Sequence, residues 1–192
     1  MVVVHVGGVY GDRAAALERW ARAYEALSEQ ARARVVVEHD ETSFSLHDVL
    51  ELHRQTGVRV MYDHHHHRCN PAPELRDHAE AIEAALATWP AEQRPKVHLS
   101  SPRTELRTVG KGKDARLVPP LVDQHADFVT PWDLLDVVRV AGRPVDVMIE
   151  AKAKDVALLW LREQLKRIAP EAAAAEERAA QARRPRAAPK TA

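Results

Sequence analysis

Apolar residues fall into five short, largely uninterrupted runs: Val2–Val6, Val35–Glu38, Val58–Asp63, Lys96–Ser100 and Val145–Glu150. Each closes on or beside a polar side chain. Runs that do not alternate are how strands of a parallel sheet read when both faces are covered. Helical periodicity fills the gaps. After Asp12, a candidate N-cap, Leu17, Trp20, Ala21, Tyr24 and Leu27 form one apolar stripe. Ser45 followed by Asp48 forms a capping-box signature ahead of Val49, Leu50 and Leu52. Leu75, Ala79, Ile82 and Leu86 mark a further helix, Trp132–Val138 a short one, and Val156, Leu159, Trp160 and Ile168 the last. Between Ser100 and Asp127 there is no period.

The chain therefore reads β-α five times, with connections suited to right-handed crossovers. A doubly wound open sheet and a (β/α)₈ barrel both accept that repeat. No strand is followed by G-x-G-x-x-G, which weakens the dinucleotide-binding version. Polar, chemically able residues at the C-terminal end of every strand favour the barrel, where enzymes place their chemistry at that end. Five units do not close eight strands, so the expectation is an incomplete TIM-type barrel over residues 1–168. Residues 169–192, rich in Ala, Arg and Pro with the cluster Arg183–Arg184–Pro185–Arg186, are expected to be a disordered basic tail.

Composition narrows the setting. Across 192 residues, 28 basic side chains balance 28 acidic ones, so any polyanion must be met by a local patch. One cysteine, Cys69, excludes a disulfide framework and fits a reducing cytoplasm. No apolar run reaches the length of a membrane span.

The histidines change the picture. The strand ends carry His5, Glu38-His39-Asp40-Glu41, Asp63 with His64–His67, His98, and Glu150, and His125-Ala126-Asp127 follows further on. Imidazole and carboxylate are the ligands of hydrolytic Zn, Mn and Mg sites. A parallel barrel brings all its strand ends into one ring. The candidates His5, Glu38, Asp63, His66, His67, His98, His125 and Glu150 outnumber the needs of one tetrahedral ion. They predict two or three bridged ions, an arrangement suited to phosphoester hydrolysis.

Six stretches in order carry a resemblance: His5-Val-Gly-Gly-Val-Tyr-Gly-Asp12, Val37-Glu-His-Asp-Glu41, Val60-Met-Tyr-Asp-His-His-His-His67 with Asn70-Pro71, Pro95-Lys-Val-His-Leu-Ser-Ser101, His125-Ala-Asp127, and Asp146-Val-Met-Ile-Glu-Ala-Lys-Ala-Lys154. Over roughly residues 2–160 the sequence resembles the UV damage endonuclease family, DNA-repair enzymes on a TIM barrel related to endonuclease IV. The resemblance implies a divalent metal cluster, commonly Mn2+ with Zn2+ or Mg2+ as alternatives. It implies His5, Glu38, Asp63, His66, His98, His125 and Glu150 as ligands, and catalytic roles for Lys96, His98 and Glu150. Lys96 falls where the family has a lysine whose amine can be carboxylated. The implied substrate is UV-damaged double-stranded DNA, incised on the 5′ side of pyrimidine dimers or photoproducts.

Position 39 departs from the family, with His where Asn is usual. The segment Pro102–Gln124 is long for the family and sets Arg103, Arg107, Lys111, Lys113 and Arg116 against Glu105 and Asp114, which suits phosphate contacts or a solvated loop. The family has three further βα units ahead of the first strand here. The expectation is an N-terminally truncated form, prone to self-association or needing an N-terminal complementing fragment. A sugar isomerase or epimerase of the same barrel class, or an inactive metal-binding fragment, stays open as an alternative.

Overall fold

The structure, a computed structural model, describes residues 1–182. β1 (Val2–His5) leads through α1 (Arg13–Glu25) and the single turn α2 (Glu29–Arg32) into β2 (Val35–Glu38). α3 (Leu46–Thr56) joins it to β3 (Arg59–Asp63), which runs directly into α4 (His64–Cys69) and on to α5 (His78–Leu86). β4 (Lys96–Leu99) is followed by a hairpin of β5 (Arg107–Val109) and β6 (Arg116–Val118). Then come α6 (Pro131–Val140), β7 (Asp146–Ile149), α7 (Asp155–Ile168) and α8 (Pro170–Ala182).

Local chemistry explains these boundaries. Asp12 Oδ1 accepts from the Ala15 N–H at 3.0 Å and starts α1. The Ser45 N–H and hydroxyl both donate to Asp48 Oδ2, at 2.7 and 2.9 Å, forming the expected capping box of α3. That helix ends at Gly57, whose φ of +73° is left-handed and would strain any larger residue. Thr130 caps α6, with Pro131 at its first turn.

Five parallel strands pair in the order β1-β2-β3-β4-β7. The order never reverses. With right-handed crossovers, every helix then falls on one side, which is the barrel arrangement and not the doubly wound one. Val37, Val60, Tyr62, Val97 and Leu99 face outward into a core shared with α3, α5 and α6. The intervening residues face the concave side. There Trp89, from the loop before β4, covers Val36 and Met61 and donates its Nε1–H to Val60 O at 2.8 Å. The sheet is a half-barrel whose two edge strands each have, among the described residues, one unpaired side. Val2 on β1 and Met148 on β7 are 53% and 40% exposed, as apolar residues are at an uncovered edge.

The structure corrects the reading of the C-terminal segment. Pro170–Ala182 is helical, not disordered, because alanine has the highest helix propensity and Ala173 packs on Leu161 and Leu165 of α7. Arg162 pairs with Glu176 at 2.5 Å across the same contact. The basic cluster Arg183–Arg186 lies outside the described residues. Further elements have no counterpart in the hydrophobic pattern: the single turn α2, the hairpin and the histidine helix α4.

Candidate metal centre

Parallel pairing sets the strand ends side by side, with His5 opposite Glu38 and Asp63 opposite His98. Side chains two apart share a face, so these four point to the concave side with Glu150, which follows β7. Glu38, Asp63, His98 and Glu150 each offer one ligand atom, and these atoms all lie within 4.8 Å of one another.

Glu38 is the hub. Its Oε1 meets His98 Nδ1 at 3.0 Å and His66 Nδ1 at 3.4 Å, and its Oε2 lies 3.5 Å from His5 Nε2. His98 Nδ1 is also 3.0 Å from Glu150 Oε1, and Glu150 Oε2 is 3.7 Å from His125 Nδ1. His66 Nδ1 stands 3.9 Å from Asp63 Oδ1, while its backbone N–H donates to that oxygen at 2.7 Å. All seven ligand candidates thus belong to one contiguous network. Glu38, Asp63, His66 and His98 are buried, whereas His5, His125 and Glu150 form its open rim.

The electrostatics follow from this crowding. Burial pushes the Glu38 carboxyl up, but hydrogen bonds from His66 and His98 overcome it and hold the group at about 2. Burial works against protonated His98, yet Glu150 and Glu38 raise it to about 10. His66 reaches about 9 against its own burial, through Glu38 and Asp63. Burial raises Asp63. Without a cation the network holds its negative charge with imidazolium protons.

A divalent ion fits this donor set. Among the described residues, Asp63 Oδ2 and His98 Nε2 are buried without a hydrogen-bond partner, a state that costs free energy unless something else meets them. Carboxylate and imidazole ligands are those expected for Mn2+, Zn2+ or Mg2+.

Two expected participants stand apart. Lys96 faces the same side as His98, one pleat deeper, and its Nζ pairs with Asp146 Oδ2 at 2.7 Å across the β4–β7 ladder. A third of its side chain is exposed, because the half-barrel interior is open. His67 turns away from the ligands, toward the rings of Tyr62 and His78 at 5.6 and 5.2 Å.

Other residues prove to be supports. His39 Nε2 accepts the Asp63 backbone N–H at 3.0 Å, which places the ring proton on Nδ1 and fixes the end of β3. Its carbonyl meets His66 Nδ1 at 3.0 Å. Burial keeps this imidazole neutral, far below its ordinary value. Asp133 on α6 accepts from Arg68 at 2.7 Å and from Ser101, tying the loop after β4 to α4. Glu41 reaches His66 Nε2 at 3.7 Å. Sequence spacing did not reveal these partners, since each contact spans separate strands or helices.

A family model describing UV-endonuclease UvdE matches residues 1–176. The UV DNA damage endonuclease of Bacillus pumilus (strain SAFR-032) is 36% identical over 172 residues, covering 86% of this chain and 48% of its own length. That of Bacillus velezensis is 32% identical over 171 residues, with 88% and 49% covered. The crystal structure of SacUVDE shares the fold, with a TM-score of 0.68 at 23% identity over 86% of this chain and 51% of its own. The chain spans about half the length of the curated relatives it matches.

Proposed function

The chain belongs to the UV-endonuclease UvdE family, and on that premise we propose that it is the metal-binding half of an endonuclease that incises UV-damaged double-stranded DNA. The carrying observation is the convergence of Glu38, Asp63, His98 and Glu150 on one point at the C-terminal mouth of the strands. In this reading the cut falls on the 5′ side of a pyrimidine dimer or photoproduct, and manganese is the metal.

Glu38, Asp63, His66, His98 and Glu150 hold the ions, with His5 and His125 completing the shell from the rim. Divalent ions bound there neutralise charge developing on a phosphodiester and acidify water near neutral pH. The protein's own part is positional. His39 and the Asp63 N-cap geometry lock the end of β3, so ligands from separate strands keep their places without reorganising. Glu150, on the open side, faces an incoming phosphate and is placed to take a proton from the attacking water, and His98, paired with both glutamates, holds it in position. Lys96, anchored by Asp146, supports the floor from below.

The unpaired sides of β1 and β7 are where further strands close the barrel, from the same polypeptide or a complementing one. Family membership favours this reading over the sugar isomerase. The test is nicking of irradiated against unirradiated supercoiled plasmid with Mn2+, by the chain alone and with the three preceding βα units of a relative supplied. Incision of irradiated plasmid only, abolished by Glu150→Gln, supports the proposal. Its absence from a closed, metal-loaded barrel refutes it.

A further inference from the structure

We propose that the β5–β6 hairpin is a DNA-backbone arm, gripping the duplex beside the metal centre through Arg107, Lys111, Lys113 and Arg116. The inference rests on the DNA-incising reading of the site and adds the element that holds the substrate there.

Four observations carry it. The first is where the arm is rooted. Pro102 bridges antiparallel to His125, and the Arg103 N–H donates to Gln124 O at 2.7 Å. His125 is itself 3.7 Å from Glu150, so the hairpin rises from the rim of the ligand network. The second is charge. Residues 106–118 carry four cations against the single acid Asp114, in a chain whose net charge is zero.

The third is the face on which the charge lies. The register sets Arg107 opposite Val118, Thr108 opposite Leu117 and Val109 opposite Arg116. Side chains alternate across the ribbon, so both arginines share one face with Val109 and Val118, leaving Thr108 and Leu117 on the other. A two-stranded ribbon of this kind fits a DNA groove, and guanidinium groups suit phosphate oxygens. The fourth is shape. Gly110 has φ +88°, and a Cβ there would lie 2.4 Å from the Asp114 carbonyl oxygen, so only glycine closes the turn. The turn, a 3₁₀ segment Gly112–Asp114, presents Lys111 and Lys113 at an exposed tip. The arm is built, solvated and cationic. Exposed Leu117 and Val109 would also suit a protein partner, but a partner surface gives no reason for two arginines on one face and two lysines at the tip.

The test is binding of the 192-residue chain to an undamaged and an irradiated duplex in EDTA, which separates grip from incision. Salt is varied from 50 to 200 mM. Phosphate contacts make log K fall with log salt by about 0.9 per contact. R107S/K111S/K113S/R116S should flatten that slope by about 3.6 and weaken both duplexes by the same factor, a deficit that shrinks about 100-fold between 50 and 200 mM salt. K111S/K113S, confined to the exposed tip, should give about half the change in slope. Circular dichroism guards against misfolding. An unchanged slope and affinity overturn the proposal. So does a loss confined to the irradiated duplex, a change seen only in association state, or a parent chain that does not bind duplex. A chain that binds through the arm, but whose closed, Mn2+-loaded barrel never nicks irradiated DNA, keeps the arm and refutes the endonuclease reading instead.

Discussion

Glu38→Gln preserves the shape of the hub side chain and removes its charge. The wild-type carboxyl is lowered from 4.5 to about 2, with burial opposing the shift and His66 and His98 producing it. At 1.36 kcal/mol per pKa unit, that displacement stabilises the folded chain by about 3 kcal/mol at neutral pH. His98, raised to about 10, is shared between Glu150 and Glu38. The sign for Glu38 is that of a depressed carboxylate: the contribution is complete above pH 4.5 and disappears as pH falls through about 2. The assay is urea unfolding at pH 7 in EDTA. With a slope near ~2 kcal/mol per molar, the midpoint of the variant should fall by about 1.5 M. Added Mn2+ at one hundred times its dissociation constant should stabilise the wild type by about 2.7 kcal/mol and leave the variant unchanged. An unaltered midpoint together with an undiminished response to Mn2+ would refute the role of Glu38 as hub.

Further outcomes follow from the same geometry. His98→Ala should weaken Mn2+ binding at least tenfold by calorimetry while far-UV circular dichroism stays near wild type, because the ring adds little to the outer core. Acid should destabilise the apo chain well before its carboxylates titrate. Burial lowers His64 to about 3 and His67 to about 4, so the unfolded chain binds protons first and stability falls as pH drops below 6.5. At pH 5 each contributes a loss of about 2 kcal/mol, which His64→Leu/His67→Leu should remove. His66 and His98 add little slope below pH 6.5, where both states hold the proton; their contribution is lost as pH climbs from 6.5 through 9 and 10. Denaturant midpoints at pH 7 and pH 5 measure the difference.

The parallel strands were legible because burial on both faces leaves uninterrupted valines, as in Val35–Val37, and the clustered carboxylates and imidazoles were legible because polar residues closed those runs. What spacing did not decide was the hand of the architecture, which needs the strand order. The hairpin was hidden for a physical reason. Arg107–Val109 and Arg116–Val118 are exposed along most of their length, so neither presents the apolar alternation that betrays a half-buried strand. α4 was hidden because His64–His67 have no apolar period, and Asp63 starts that helix by accepting the His66 N–H. The composition of Pro170–Ala182 suggested a tail, yet its alanines suit a helix lying on α7. The resemblance marks Lys96 as a lysine that can be carboxylated, whereas its pairing with Asp146, 50 residues away on the neighbouring strand, is visible only in the sheet.

Whether these strand ends hold metal for incision of UV-damaged DNA is decided by nicking. The most direct measurement is nicking of irradiated plasmid by this chain joined to the three βα units that precede the matching segment in a relative, titrated with Mn2+. Nicking should rise with Mn2+, be confined to irradiated plasmid, and be lost in Glu38→Gln and Glu150→Gln. Equal nicking of unirradiated plasmid, or full activity in either variant, would contradict that role for the strand ends.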